Sequence, residues 1–343
     1  MIKKGGLAII TIHIPITLVV WTRRVTMNIK NIACVGVGTI GHSWATLFAI
    51  KGYDVTAYDM SPELLKSAID RIRASAEFLA EKGLIAKRDA EAALGRIRIT
   101  SEMSECVSGA DYIQESAFES YDIKKKIFSE IDRVNSSAII ATSSSGLLMT
   151  EIQKAATKPE RCLVAHPWNP PLLLRLVELV PGERTSREAI QTTYEFMEKL
   201  DKTPVVVKKE VPGFIGNRLQ AALWREALNL VNNGVASVED VDRACWAGPG
   251  SRWAIMGPFL TLHLGGGPGG LKYHIDTIQH GFNEYWKSMD DWKQIPYHAA
   301  KKAIDGVEQL PIVKEKTLPE MVKWRDDKLV KIVKLQEENS EKQ

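Results

Sequence analysis

Cysteine is scarce in this sequence: Cys34, Cys106, Cys162 and Cys245 are the 4 in 343 residues, and no two form a CxxC pair. That scatter argues against a disulfide framework and against a zinc site, so no metal is expected, and it fits a reducing cytoplasm. An excess of one charge is missing as well. Lys and Arg number 45 against 42 Asp and Glu, a net +3 with the signs well mixed. No nucleic-acid or acidic-surface partner is implied. Internal repeats and low-complexity tracts are absent, and long apolar runs are few. The conspicuous one, LAIITIHIPITLVVW over 7–21, follows Lys3 and Lys4 in the manner of a signal sequence. It is too short for a comfortable membrane span, contains His13 and Pro15, and leads into WTRRVTM rather than a small-x-small cleavage site. Residues 1–26 therefore read as an N-terminal extension, a misassigned start being one account of it. Met27 is the natural opening of the first domain. A membrane anchor is the lesser alternative, and no membrane partner is expected.

What is present reads as a soluble globular protein, 45% hydrophobic and 25% charged, with length enough for two domains. From residue 31 short apolar runs alternate with helical periods. IACVG (32–36), DVTAYD (54–59), RIT (98–100), DYIQES (111–116), AIIATSS (138–144), CLVAH (162–166), LVELV (176–180) and PVVVKK (204–209) read as strands. The intervening helices include 39–52, 186–200 and a long stretch after Ser61 that Gly83 breaks into a pair. Such alternation predicts an α/β fold, a doubly wound and mostly parallel sheet covered on both faces. The texture changes at VPGFIGNRLQ (211–220), after which only helices are expected, one of them opened by a capping box at Ser237 and Asp240. The predicted organisation is a Rossmann-type domain over 27–210, an all-α domain over 211–310 and a helical tail over 311–343. That tail is expected to pack on the second domain or on a partner subunit.

GVGTIG places Gly36, Gly38 and Gly41 directly after a strand and at the start of a helix. The first glycine allows the tight turn, the second lets the backbone approach a pyrophosphate, and the third lets helix and strand pack closely. Thr39 and Ile40 begin the helix, whose free N–H groups face the phosphates. Asp59 ends the second strand 18 residues after Gly41, where a carboxylate accepts hydrogen bonds from the adenosine ribose and repels a 2′-phosphate. Met60 and Ser61 follow it with no arginine. NAD is favoured over NADP, and nothing specific to a flavin is visible.

AHPWNPPLLLRLVELV (165–180) sets His166 in a stiff turn and Glu178 inside an apolar run. His166 falls at a strand's carboxyl end, where ligands of open α/β sheets bind. Imidazole is the natural base for a hydroxyl proton while hydride leaves the same carbon. Glu178 is the candidate partner that fixes its tautomer, and the prolines are candidate stiffeners. On the residues alone, a satisfied turn histidine and an edge-strand charge remain open.

GVGTIG with Asp59, SSSGLL (143–148), HPWNPP with LVELV, and PGFIGNRL together resemble the 3-hydroxyacyl-CoA dehydrogenase superfamily, collinearly over roughly 28–310. The resemblance implies that His166 is the general base and Glu178 its orienting partner. It implies that Ser145 and Asn217 hydrogen-bond the oxygen that interconverts between alcohol and ketone. It also implies that Glu119 and Lys124 line the nicotinamide-ribose part of an NAD site, and that the chain dimerises through its helical domain, for which the apolar faces of 218–232 are candidates. SSSGL and HPWNP depart from the NTSSL and HFFNP of the acyl-CoA enzymes, and Ser143 in place of asparagine puts one cofactor contact in doubt. These variants, with GPGSRWAIMGPFLTLHLGGG (248–267), look more like the branch containing lambda-crystallin/L-gulonate 3-dehydrogenase and L-carnitine dehydrogenase. Arg252 is a candidate clamp for a substrate carboxylate and Trp253 a candidate pocket wall or cation-stacking face; a surface ion pair and a core tryptophan are the alternatives. The expected activity is NAD-dependent oxidation of a small L-3-hydroxy carboxylate. Two rivals stand beside it: a short-chain 3-hydroxyacyl-CoA (3-hydroxybutyryl-CoA) dehydrogenase, and a catalytically idle, crystallin-like NAD-binding protein.

Overall fold

The computed structural model describes residues 28–340; the extension read at 1–26, with its apolar run, lies outside the described residues. Eight strands form one sheet: β1 (Asn31–Val35), β2 (Asp54–Tyr58), β3 (Ile97–Thr100), β4 (Tyr112–Glu115), β5 (Ile139–Thr142), β6 (Cys162–Pro167), β7 (Leu176–Pro181) and β8 (Thr203–Val206). Their spatial order is β3-β2-β1-β4-β5-β6-β7-β8. All neighbours pair in parallel except β6 with β7. Strand order reverses between β1 and β4, which is where an open α/β sheet offers its ligand crevice.

The helices of this part are α1 (Thr39–Ile50), α2 (Pro62–Glu81), α3 (Lys87–Leu94), α4 (Met103–Val107), α5 (Tyr121–Val134), α6 (Met149–Ile152) and α7 (Arg187–Lys199). Side chains alternate along a strand, and the two faces of the sheet build two cores. Ile32 and Cys34 join Trp44, Phe48 and Phe196 on one face. Ala33 and Val35 join Phe128, Ile131 and Phe214 on the other. Ser61 caps α2 by accepting from Leu64 N, with Pro62 in the first turn. The short helix α4 lies where the sequence reading placed no helix.

Beyond Val206 the described chain is helical: α8 (Gly216–Asn232), α9 (Val238–Ala247), α10 (Pro249–Trp253), α11 (Pro258–Gly265), α12 (Gly270–Ser288), α13 (Tyr297–Val307), α14 (Pro311–Glu315) and α15 (Leu318–Ser340). Ser237 accepts from Asp240 N at 3.1 Å and caps α9, while its hydroxyl donates to the Asp240 carboxylate at 2.7 Å. The sequence reading put the closing helix α15 on the second domain or on a partner subunit; within this chain its main contacts lie elsewhere. Val330 packs with Leu79 and Leu173, Asp327 pairs with Lys82 at 2.9 Å, and Glu337 pairs with Arg175. These partners belong to α2, to Lys82 that caps it, and to the β6–β7 connection, so α15 docks mainly on the first domain. It also touches the helical part, Gln336 Nε2 donating to Ala254 O at 2.6 Å. Among the described residues no helix is long and apolar enough to cross a membrane.

Candidate functional site

The glycine turn after β1 divides the three glycine roles as a pyrophosphate site requires. Gly36 has φ +91°, and a Cβ there would lie 2.9 Å from the backbone of Ser116. Gly38 has open space, nothing lying within 4 Å of a Cβ built on it. At Gly41 a Cβ would fall 1.8 Å from Gly36 O, so helix and turn are in contact. The open middle glycine and the uncapped start of α1, where Thr39 and Ile40 sit, leave N–H groups for a phosphate. Asp59 is held beside this turn, its carboxylate accepting from Val37 N at 2.8 Å and Ser61 N at 2.9 Å. These residues fit a dinucleotide.

The antiparallel pairing of β6 with β7 sets His166 directly opposite Glu178. Facing residues of such a pair project from the same side of the sheet within side-chain reach. His166 Nδ1 lies 2.9 Å from Glu178 Oε2, and both side chains are buried. The carboxylate can only accept, so Nδ1 carries the proton and Nε2 is the ring's remaining acceptor. Glu178 takes three further hydrogen bonds: Trp168 Nε1 at 3.3 Å on Oε2, and Ile215 N at 2.8 Å and Gly216 N at 2.9 Å on Oε1. Burial works to raise its pKa, but the donors from His166, Gly216, Ile215 and Trp168 outweigh it and hold the carboxyl below its ordinary range. Through Oε1 the first domain grips the start of α8. Gly216 is needed there, because a Cβ would come within 2.4 Å of the Trp168 ring.

A cleft of about 480 Å3 opens above this pair, lined among others by Ile40, Ser116, Glu119, Ser143, Ser145, His166, Trp168 and Asn217. Ser145 and Asn217 meet across it, although Asn217 Nδ2 donates to the Ser145 carbonyl, at 2.9 Å, and not to its hydroxyl. Glu119 Oε1 accepts from Ser144 Oγ at 2.7 Å, Ser145 N at 2.9 Å and Gly146 N at 3.2 Å. Burial raises its pKa, and the Ser144 bond, Lys124 and the two amides bring it below the usual value.

Lys124 is placed differently from the sequence expectation. It lies beneath the cleft and not on its wall, 1% exposed. Its ammonium spans both oxygens of Glu115 at 3.0 Å and reaches Glu119 Oε2 at 3.6 Å. Glu115 was missed: a fully buried carboxylate ending β4, it also accepts from Thr142 Oγ1 and Ala117 N, both at 2.5 Å. Its signal in the sequence was a Gln–Glu pair inside an otherwise apolar strand. Arg252 and Trp253 do not line the His166 cleft. Trp253 walls a second cavity of about 810 Å3, which adjoins the first through Trp168 and also takes in Arg175 and Met256. Arg252, on α10, is exposed.

Two family models cover most of the chain. The NAD binding domain of 3-hydroxyacyl-CoA dehydrogenase matches residues 31–211. Its C-terminal domain matches residues 213–305. The L-carnitine dehydrogenase of Streptomyces griseus is 40% identical over 264 residues, 77% of this chain and 78% of that protein. The L-carnitine dehydrogenase of Oceanobacillus iheyensis is 37% identical over 310 residues, 90% of this chain and 99% of that one. Among solved structures, 5-formyl-3-hydroxy-2-methylpyridine 4-carboxylic acid 5-dehydrogenase, described as an NAD+-dependent dismutase, matches with TM-score 0.76 and 28% identity over 90% of this chain and 97% of that one. With a Rossmann-type domain, a glycine turn fitted to a dinucleotide and both family models matched in order, this chain belongs to the 3-hydroxyacyl-CoA dehydrogenase family and is an NAD-dependent oxidoreductase.

Proposed function

We propose that the chain oxidises the 3-hydroxyl of a small free hydroxy carboxylate, L-carnitine or a close analogue, to the ketone. The observation that carries this reading is the buried His166–Glu178 pair opening onto a cleft shared with Ser145 and Asn217. NAD, when bound, would supply the hydride acceptor for the carbinol carbon. His166 Nε2 accepts the hydroxyl proton, and Glu178 stabilises the imidazolium that results. Ser145 Oγ and the second Nδ2 hydrogen of Asn217 hydrogen-bond the substrate oxygen. Glu119 is suited to the ribose hydroxyls at the nicotinamide end, and Lys124 is a positioning residue that acts through Glu115 and Glu119. Gly36, Gly38 and Gly41 with the start of α1 would hold the pyrophosphate, and Asp59 the adenosine ribose.

A free acid is preferred to a CoA thioester because the matched relatives at 37–40% identity are named for L-carnitine, itself a 3-hydroxy carboxylate. Trp168, on the cleft wall, offers a ring face that suits a quaternary ammonium. Arg252 and Trp253 keep a substrate role only if they reach the ligand through the second cavity or from a partner subunit. NADH formation with L-carnitine, L-gulonate, L-3-hydroxybutyrate and L-3-hydroxybutyryl-CoA, each with NAD and NADP, tests the reading. Turnover of a free acid with NAD is expected. Preference for the CoA ester would move the chain to the fatty-acid branch, and silence on all four with NAD still binding would favour the idle reading.

We further propose a homodimer formed through the helical part. Leu219, Leu223 and Trp224 of α8 and Phe259, Leu260 and Leu264 of α11 are exposed apolar side chains, candidates for an interaction surface. Light scattering at twice the chain mass is expected. A cytoplasmic location is consistent with four free cysteines, three of them buried. The proposed domain limits are 27–210, 211–310 and a tail to 343.

A further inference from the structure

Three hydrogen bonds converge on one hydroxyl at the wall of the cleft. Ser143 Oγ lies 3.2 Å from Trp44 Nε1, 2.8 Å from Gln114 Nε2 and 2.8 Å from Ser116 Oγ. An indole N–H can only donate. The orientation of the Gln114 amide is fixed by its surroundings, its nitrogen 3.4 Å from the Ala165 carbonyl and its oxygen accepting from the Tyr112 hydroxyl at 3.0 Å. Ser143 therefore gives both lone pairs to donors and must send its single proton to Ser116. Ser116 accepts there, and its own proton is left over. Among the described residues Ser116 Oγ has no second hydrogen-bond partner, and the residue lines the cleft. Ser143 has nothing left to donate to a ligand, whereas Ser116 has a hydroxyl committed to donation.

Its place in the sheet says what the acceptor is. Ser116 is the first residue past β4, pressed against Gly36, the first past β1, at the reversal of strand order. Next along the carboxyl ends come Ser143 past β5 and His166 in β6. Ser116 thus lies between the glycine turn, fitted to a pyrophosphate, and His166, toward which the reacting ring would point. Ribose hydroxyls bring protons, which suit Glu119. The nicotinamide carboxamide brings an exposed carbonyl oxygen, which suits an obligate donor.

We propose that Ser116, held as a donor by the Trp44 and Gln114 bonds to Ser143, recognises the carboxamide oxygen of the nicotinamide. The proposal rests on the NAD assignment and adds a specificity residue to it. The test is equilibrium binding, by fluorescence and calorimetry, of NADH, ADP-ribose and reduced thionicotinamide adenine dinucleotide to wild type and Ser116→Ala. ADP-ribose lacks the ring, and the thio analogue replaces the carbonyl oxygen with a poor acceptor. Ser116→Ala is expected to weaken NADH by about three- to tenfold, the worth of one neutral hydrogen bond. It is expected to leave ADP-ribose unchanged and to weaken the thio analogue by less than about twofold.

Ser143→Ala should weaken NADH as well, and Ser116→Ala should then cost less in that background than in wild type, because the relay is already broken. Unchanged NADH affinity in Ser116→Ala would overturn the proposal while leaving the nucleotide site standing. Equal losses for NADH and the thio analogue would overturn the carboxamide oxygen as the acceptor. Equal losses that include ADP-ribose would reduce Ser116 to scaffolding. Failure of ADP-ribose to bind wild type would remove the NAD reading and the proposal together.

Discussion

Replacing Glu178 by glutamine changes one atom and inverts the logic of the base. The carboxylate accepts two backbone N–H groups on Oε1 and two side-chain donors on Oε2. Glutamine has one oxygen and must choose a side. Turned toward His166 and Trp168, it leaves the amides of Ile215 and Gly216 facing an NH2 group. That strands two buried donors, at about 1–3 kcal/mol each. Turned toward the amides, it strands the Trp168 indole N–H, and the same range applies once. The second orientation is therefore favoured, and it presents NH2 to His166 Nδ1. The imidazole must then accept at Nδ1 and carry its proton on Nε2, where it cannot take one from the substrate. Reversing the tautomer of a catalytic His in this way costs on the order of 10^4 in kcat, while folding is weakened by only about 1–3 kcal/mol. The assay is kcat for L-carnitine with NAD, beside 15N shifts of His166 to read the tautomer and NADH affinity to confirm an intact cofactor site. A Glu178→Gln enzyme with the Nε2-protonated ring and kcat within about tenfold of wild type would refute the reasoning.

Two other perturbations separate the supports of the site. Gly216→Ala drives a methyl into the Trp168 ring. It should destabilise by about 1–3 kcal/mol and lower kcat/KM through displacement of Trp168, whereas Gly109→Ala, with nothing within 4 Å, should leave kcat/KM unchanged. Lys202 is buried and donates to the Pro171 and Leu174 carbonyls of the β6–β7 connection. Burial, then Arg175, push its ammonium down to about 7. Below that pH it is charged folded and unfolded alike; above it, up to the ordinary lysine pKa of about 10.4, the unfolded chain binds the extra proton. Stability must therefore rise with pH across this window, by at most about 1.4 kcal/mol per unit. Urea unfolding should show wild type gaining on Lys202→Met between about pH 7 and about pH 9, and parallel profiles would place the titration elsewhere.

Much of the architecture was legible because the chain's periodicities are clean. The strand–turn–helix of GVGTIG needs no tertiary help, and the alternating Ile32, Ala33, Cys34 and Val35 already divide between two cores. His166 and Glu178 could be paired by the turn between them, yet their exact opposition comes from the antiparallel β6–β7 ladder, which a mostly parallel reading did not specify. Lys124 was placed on the cleft by the family resemblance, and its burial could not be read from a helix start where a lysine is ordinarily solvated; Glu115, at the end of the central strand β4, draws it inside. The packing of α15 on Leu79 and Leu173 was not legible because an apolar stripe shows that a face is buried and not what buries it. Ser116 carried no signal, since its role depends on donors supplied by Trp44 and Gln114 from distant parts of the chain.

The central claim is that His166 removes the hydroxyl proton during NAD-dependent oxidation of a free 3-hydroxy acid. The direct measurement is turnover of L-carnitine with NAD by His166→Gln, made on protein whose NADH affinity matches wild type. A loss of about 10^2- to 10^4-fold in kcat, the range of general-base catalysis, with cofactor binding intact, is the predicted result. Turnover at the wild-type rate would contradict the account.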